Sequence, residues 1–376
     1  MFRYRFELAT PHDDAELRAI LAATQMPGRI AITFRREPSY FDADVVLGEF
    51  HQTIVGRDHA NQRIMGFGSR AVRSCFINGE PATIGYLSSL RVRPQYRGLG
   101  LLGRGYECFR ELHDDGRTSL YLTTIAEGND AAVAVLTSGR AGLPIYHPAG
   151  TYCTLAIPLS RRSRRHGRNG RHASRRVEVR SATVADLTNV IEFLHRCGSA
   201  RQFFPRYDVH DFFEPRGTFR DLQPHDLWLV FRNGRLVGTL AAWDQHRFRQ
   251  TIVNGYSAGL RWMRPVWNGW ARVRGSPRLP APGEPFRHLV AALPVIEDDD
   301  PAVFAALMNA LRDAHVGGPC AYLLLGLHET DPLLPTATAW RTSIYRTRLY
   351  HVGWGDDAEV RERLDRRPPY LELGCL

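Results

Sequence analysis

Residues 95–100 read Gln-Tyr-Arg-Gly-Leu-Gly, and a stretch with apolar residues at helical spacing follows, so that 98–112 is expected as a helix. Glycines at Gly98 and Gly100, at the mouth of such a helix, let backbone N–H groups close on a pyrophosphate. The positive end of the helix dipole adds to that attraction. Arg97 and Arg104 offer further charge. The chemistry this suggests is phosphate binding by Arg97, Gly98, Leu99, Gly100 and Leu101. Two other runs carry reactive side chains. Glu297, Asp298, Asp299 and Asp300 precede Pro301, which reads as acidic capping of a helix with a first-turn proline rather than as a metal site. His328, Glu329, Thr330 and Asp331 resemble a fragment of a zinc helix, but the position four after His328 is Pro332, so a loop is expected there. The six cysteines form no CxxC pair, and no metal is expected. No lysine occurs, so all 49 basic residues are arginines. That excludes Schiff-base chemistry and a phosphate-loop lysine.

The elements that must position this loop follow from periodicity. Residues 2–8 alternate as a strand, and Thr10-Pro11 opens a helix carrying Leu17, Ile20 and Leu21. Strands are expected at 52–55, 63–76 and 83–92, with Asn78-Gly79 turning between the last two. After the 98–112 helix come a strand at 119–125, a helix at 129–136 opening on Gly128, Asn129 and Asp130, and a strand at 152–159. Residues 160–176 hold eight arginines with no apolar periodicity and are expected as a linker. The opening then recurs: a strand at 177–180, then Ser181-Ala182-Thr183 before a helix with Leu187, Val190, Ile191 and Leu194. A hairpin turns at Asn233-Gly234, and a second β-α-β spans 288–327. A structural repeat is implied. At 376 residues the chain suits two domains, expected at 1–159 and 177–376, the second with an aromatic and basic insertion near 243–285.

A strand ending Leu90-Arg91-Val92, then Gln95-Tyr96-Arg97-Gly98-Leu99-Gly100 and a helix, is similar to the coenzyme A signature Q/R-x-x-G-x-G/A of the GNAT superfamily of N-acetyltransferases. The order β-α-β-β-β-α-β-α-β resembles that superfamily as well. The resemblance implies an α/β (α+β) class. Two GNAT-like domains follow, each a mixed, mostly antiparallel sheet flanked by helices, the second degenerate because its acidic turn repels a pyrophosphate. It implies acetyl-CoA (acyl-CoA) as co-substrate, an amine acceptor on a small molecule or a protein, and backbone pairing of pantetheine with Leu90, Arg91 and Val92. It also places Asn129 where the family's helix asparagine touches the cofactor, a plain helix cap being the other reading. The spare domain would help shape the substrate site.

The match departs from the family at two points. Residues 84–93 offer no glutamate to take the amine's proton, and position 136, where the resemblance expects the tyrosine that protonates the departing thiolate, is Leu136. Tyr146, after the turn at 142–145, is expected to replace it, with Tyr152 and Tyr86 in reserve. Glu80 and Glu127 read as solvated loop charges. The competing function is a non-catalytic GNAT-fold module. The net charge of +10 and the insertion's Trp262, Trp267, Trp270 and Tyr256 would then serve nucleic acid or an anionic surface. The N-terminus lacks an apolar signal core and no stretch is long enough to span a bilayer, so a cytoplasmic protein is expected.

Overall fold

The computed structural model describes residues 3–160, 177–274, 276–340 and 342–376; the 161–176 part of the expected linker lies outside them. Strand β1 (Tyr4–Leu8) leads through a 3-10 turn into α1 (Asp14–Ala23). Thr10 and Asp13 form a capping box at that turn, the Thr10 N–H donating to Asp13 Oδ2 at 2.8 Å. Next come β2 (Ile30–Arg35), β3 (Phe50–Asp58), β4 (Arg63–Ile77) and β5 (Glu80–Val92). Asn78 and Gly79 both take positive φ, 55° and 84°, as a tight two-residue hairpin turn requires. Helix α2 (Leu101–His113), β6 (Tyr121–Ala126), α3 (Asp130–Leu136) and β7 (Ile145–Pro158) complete the first half.

The second half repeats this grammar. Strand β8 (Glu178–Ser181) runs through a Thr183–Asp186 capping box into α4 (Leu187–Gly198). The short β9 (Phe204–Pro205) precedes β10 (Leu227–Arg232) and β11 (Arg235–Trp243), joined by Asn233 and Gly234 at φ 52° and 77°. Strand β12 (Gln250–Tyr256) and α5 (Ala258–Arg274) fill the aromatic and basic insertion. Then β13 (His288–Ile296), α6 (Pro301–His315), β14 (Tyr322–His328) and β15 (Ser343–Gly353) follow.

Among the described residues a single 13-stranded sheet runs β1-β3-β4-β5-β6-β15-β7-β14-β13-β11-β10-β8, with β9 on β4; β2 pairs with β12 in a separate ribbon. One position in this order has no signal in the sequence. Strand β15 lies between β6 and β7, antiparallel to both, so a strand from the end of the chain completes the sheet of the first half. Its Leu349 and Val352 are fully buried in different core clusters while Tyr345 stays exposed, so the strand shows no simple in-out alternation that would assign it a place before the sheet is assembled. Strand β7 reaches Ile145, earlier than expected, because its first residues pair with Gly353 and Val352. Tyr146 is therefore held in the strand that directly follows the turn.

The sheet buries apolar side chains on both faces. On one, Leu17, Ile20 and Leu21 of α1 pack with Tyr40, Val55, Ile64 and Phe67. On the other, Tyr106 and Phe109 of α2 pack with Leu87, Ile125, Leu136, Tyr146 and Tyr350. Arg70, fully buried on β4, holds the end of α2 by donating both Nη2 bonds to Asp115 at 2.9 Å and bonding to the Leu112 carbonyl.

Candidate functional site

Strands β5 and β6 are parallel neighbours at two positions only, Gly85 opposite Tyr121 and Tyr86 opposite Leu122. Gly85 is required there because a Cβ would enter the Tyr121 ring. Beyond this point the strands part, and side chains take over the hydrogen bonds the ladder drops. Thr123 Oγ1 donates to the Leu87 carbonyl at 2.7 Å, and the Tyr86 and Thr124 hydroxyls pair at 2.7 Å. Ser89 adopts φ 58° in a bulge against β4, so Ser88–Val92 keeps its β4 partners on one side and has no strand on the other. An open strand edge of this kind accepts an extended ligand as an extra strand. Leu90, Arg91 and Val92 all lie on it.

The glycine loop continues from that edge and is fastened from below. The Arg93 N–H donates to the Met65 carbonyl, Arg93 Nε to Ile64, and Arg93 Nη2 to Glu16 at 2.8 Å. Tyr96 is buried, with its hydroxyl on Asp58 Oδ2 at 3.3 Å. Above these anchors Gly98 and Gly100 take φ 79° and 69°, and a Cβ on either would meet no atom within 4 Å. The glycines are therefore needed for left-handed backbone at the rim of open space, not for tight packing. Helix α2 begins at Leu101 with no acidic residue in its first turn and no side-chain cap, so its positive end faces that space. Leu99 is half exposed beside it. Arg97 turns its Nε to the Val92 carbonyl at 3.3 Å; Arg104 reaches back to the Tyr4 carbonyl at 3.0 Å and lies over Phe6.

The corresponding place in the second half is built alike and then closed. Strands β13 and β14 are parallel from His288 to Ala291, and Leu293 at φ 55° repeats the bulge. The turn that follows is acidic. Asp300 caps α6 itself, accepting from Ala302 N at 2.8 Å, while Arg232 and Arg235 pair with Asp300 and Glu297 at 2.5 Å and Arg201 pairs with Asp299. The positive helix end is already occupied by a carboxylate of the chain.

Three comparisons bear on this arrangement. No family model matches the chain, and no curated protein sequence does. Among solved structures, Saccharomyces cerevisiae N-myristoyltransferase with bound myristoyl-CoA aligns over 99% of this chain and 86% of its own, at 11% identity and a TM-score of 0.59. A GCN5-related glucosamine N-acetyltransferase region of a fungal multi-domain GH3 β-N-acetylglucosaminidase aligns over 93% of this chain and 38% of that one, at 13% identity and 0.58. This chain thus spans well under half of that protein. A GCN5-related N-acetyltransferase from Anabaena variabilis aligns over 93% and 72%, at 11% and 0.51. The chain has the GNAT fold. Its two halves are consistent with two GNAT-like units in tandem, and the mostly antiparallel sheet flanked by helices is that of these neighbours.

Within the GNAT fold the remaining expected residues fall as follows. Asn129 caps α3, its side-chain oxygen accepting from Ala132 N at 3.4 Å. Tyr146 is buried among the side chains that surround Leu136, and its hydroxyl pairs with that of Tyr106 at 2.6 Å; burial and this neighbour push its pKa up. Tyr152 is buried, with its hydroxyl on the Leu371 carbonyl at 2.8 Å. Glu80 and Glu127 are exposed. His328 ends β14 rather than starting a helix and bonds to Thr330 and to the Ala149 carbonyl. Sequence reasoning missed one cluster: Asp244, His246 and Cys320, whose donor atoms lie within 4.8 Å of one another, 74 or more residues apart in the chain for Cys320. The insertion's helix α5 displays Trp262 at 84% exposure, with Met263, Val266 and Val273 also exposed. No described helix is long and apolar enough to cross a membrane.

Proposed function

We propose that this chain transfers an acyl group, acetyl in the first instance, from coenzyme A to an amine. One observation carries the reading: an open, left-handed glycine loop on the uncapped end of α2, continuous with the unpaired edge Ser88–Val92. Backbone N–H groups of Arg97–Leu101 suit the pyrophosphate, and the edge at Leu90, Arg91 and Val92 suits the amide-bearing pantetheine arm. Asn129, next to the opening between β5 and β6, is assigned to the same ligand through its free amide nitrogen.

Catalysis by such a site consists mainly of holding amine and thioester together. The amine nitrogen bonds to the thioester carbonyl carbon, the C–S bond breaks, and sulfur leaves as thiolate. One proton leaves nitrogen, and residues 84–92 of β5 hold no carboxylate side chain to take it, so water is assigned that step. One proton reaches sulfur, and Tyr146, backed by Tyr106, is the proposed donor. The second half supplies acceptor-site walls through β12, whose register sets Gln250 against Arg35 and Val253 against Ile32 of the first half.

Calorimetry with coenzyme A tests the reading. Wild type is expected to bind, and Gly98→Glu to bind not at all, because the new carboxylate fills the cradle and repels phosphate. A folded Gly98→Glu protein with unchanged affinity would remove this loop from phosphate binding. Thiol release from acetyl-CoA across an amine panel then tests transfer itself.

A further inference from the structure

Beside the face of β5 turned away from α2 lie three guanidinium groups, Arg36 buried and Arg91 and Arg249 partly buried. Register places Arg91 opposite Phe67 and Ser88 opposite Ser69, the face on which Tyr40 packs and donates or accepts a hydroxyl bond with Ser69 at 3.2 Å. Arg36, only 7% exposed, lies with its guanidinium 4.5 Å from the centre of the Tyr40 ring. Arg249 comes to the same place from the second half. Its neighbour Gln250 is opposite Arg35 in the β2–β12 ribbon and clasps Glu37, accepting from its N–H and donating to its carbonyl, both at 3.0 Å.

These three cations are poorly matched by acids. Among the described residues the only side-chain carboxylate paired with any of them is Asp44, 3.3 Å from Arg36 and shared with His51 at 3.1 Å. Arg91 spends Nη1 on the Leu90 carbonyl, and its buried Nε has no partner. Arg249 gives Nη1 to the Gly374 carbonyl and to the main-chain oxygen of Leu376, the last residue of the sequence, and its buried Nη2 has no partner. Burial, and then the charge of Arg36, work against protonation of Arg249; burial likewise lowers Arg91. Buried guanidinium N–H groups left without acceptors, in a set of like charges, are a configuration that an entering anion relieves.

We propose that the acceptor amine carries a carboxylate group and that Arg36, Arg91 and Arg249 bind it on the inner face of β5. The proposal rests on the acyltransferase reading, since Arg91 belongs to the same strand edge that is assigned to pantetheine. It makes the second half a direct contributor to acceptor recognition, through Arg249. The unpartnered N–H groups of Arg91 and Arg249 leave room for one further negative charge, and planar guanidinium groups match a carboxylate's two oxygens.

The experiment uses the full chain with acetyl-CoA and acceptors in matched sets: 2-aminoalkanoic acids, their carboxamides, and the corresponding aminoalkylphosphonates. The acids are expected to exceed the amides in kcat/KM by about tenfold or more, and Arg249→Gln to shrink that ratio to about threefold or less with coenzyme A affinity unchanged. Should Arg249→Gln fail to fold, Arg36→Gln gives the same readout. Amides turning over as fast as acids, or neither turning over while coenzyme A binds, would overturn the proposal. Phosphonates outpacing the acids would overturn the carboxylate assignment. A wild-type chain that does not bind coenzyme A would overturn the acyltransferase reading instead.

Discussion

At Tyr146 two roles compete for one hydroxyl. Its bond to Tyr106 is buried, so removing either oxygen strands its partner and costs about 1–3 kcal/mol. Tyr146→Phe and Tyr106→Phe are therefore expected to lower Tm by similar amounts. Only Tyr146→Phe is expected to lower kcat by about 10²-fold with coenzyme A affinity level, because only it removes the proposed proton donor. Equal kcat in the two variants would leave Tyr146 as packing. Of the residues at the loop, Gly98 and Gly100 were legible because left-handed backbone selects for glycine locally. The anchors Arg93 and Tyr96 were not, since their partners Glu16 and Asp58 lie 77 and 38 residues away.

Among the elements, β15 couples the halves most directly. It pairs with β6 from Thr347 to Val352 and with β7 from Ser343 to Gly353, so the first half's sheet is incomplete without it. Leu349 is fully buried on this strand, opposite Thr124 where β5 and β6 begin to part. Leu349→Ala is expected to cost about 2–5 kcal/mol and to shift a single cooperative unfolding transition, followed by circular dichroism in denaturant. Two transitions, with one unmoved, would show that the halves unfold independently. The hairpin turns and the helix openings after Thr10 and Thr183 were readable because each is settled within four residues. Helix α5 was read only as an aromatic and basic insertion, because Pro265 and two glycines interrupt its helical signal.

For the whole molecule, charge and protonation make two claims. One coenzyme A is expected per chain by calorimetry, because Asp300 occupies the helix end in the second half that is open at α2 in the first. Two equivalent sites would contradict that asymmetry. His288 and His351 are both pushed down to about 4, chiefly by burial. Unfolded, each titrates near its ordinary value of about 6.5, so below that pH the unfolded chain binds protons that the native chain refuses. Stability is expected to fall as pH drops from about 6.5 to 4, by on the order of a few kcal/mol in total, read as the shift in denaturant midpoint. A flat profile across that window would show that neither ring is held neutral.

By itself the sequence determined the glycine loop at 95–100, the order of most strands and helices around it, the recurrence of the strand-helix opening, and the acidic turn before Pro301. All of these follow from periodicity, turn chemistry or charge within a short window. Tertiary structure alone decided that β15 enters the first half's sheet and that β2 pairs with β12. It also gathered Arg36, Arg91 and Arg249 on one face. Those contacts join residues as much as 231 positions apart, as between Tyr121 and Val352. No local pattern encodes them; they follow from which strand edges remain unpaired once the elements collapse around their buried faces.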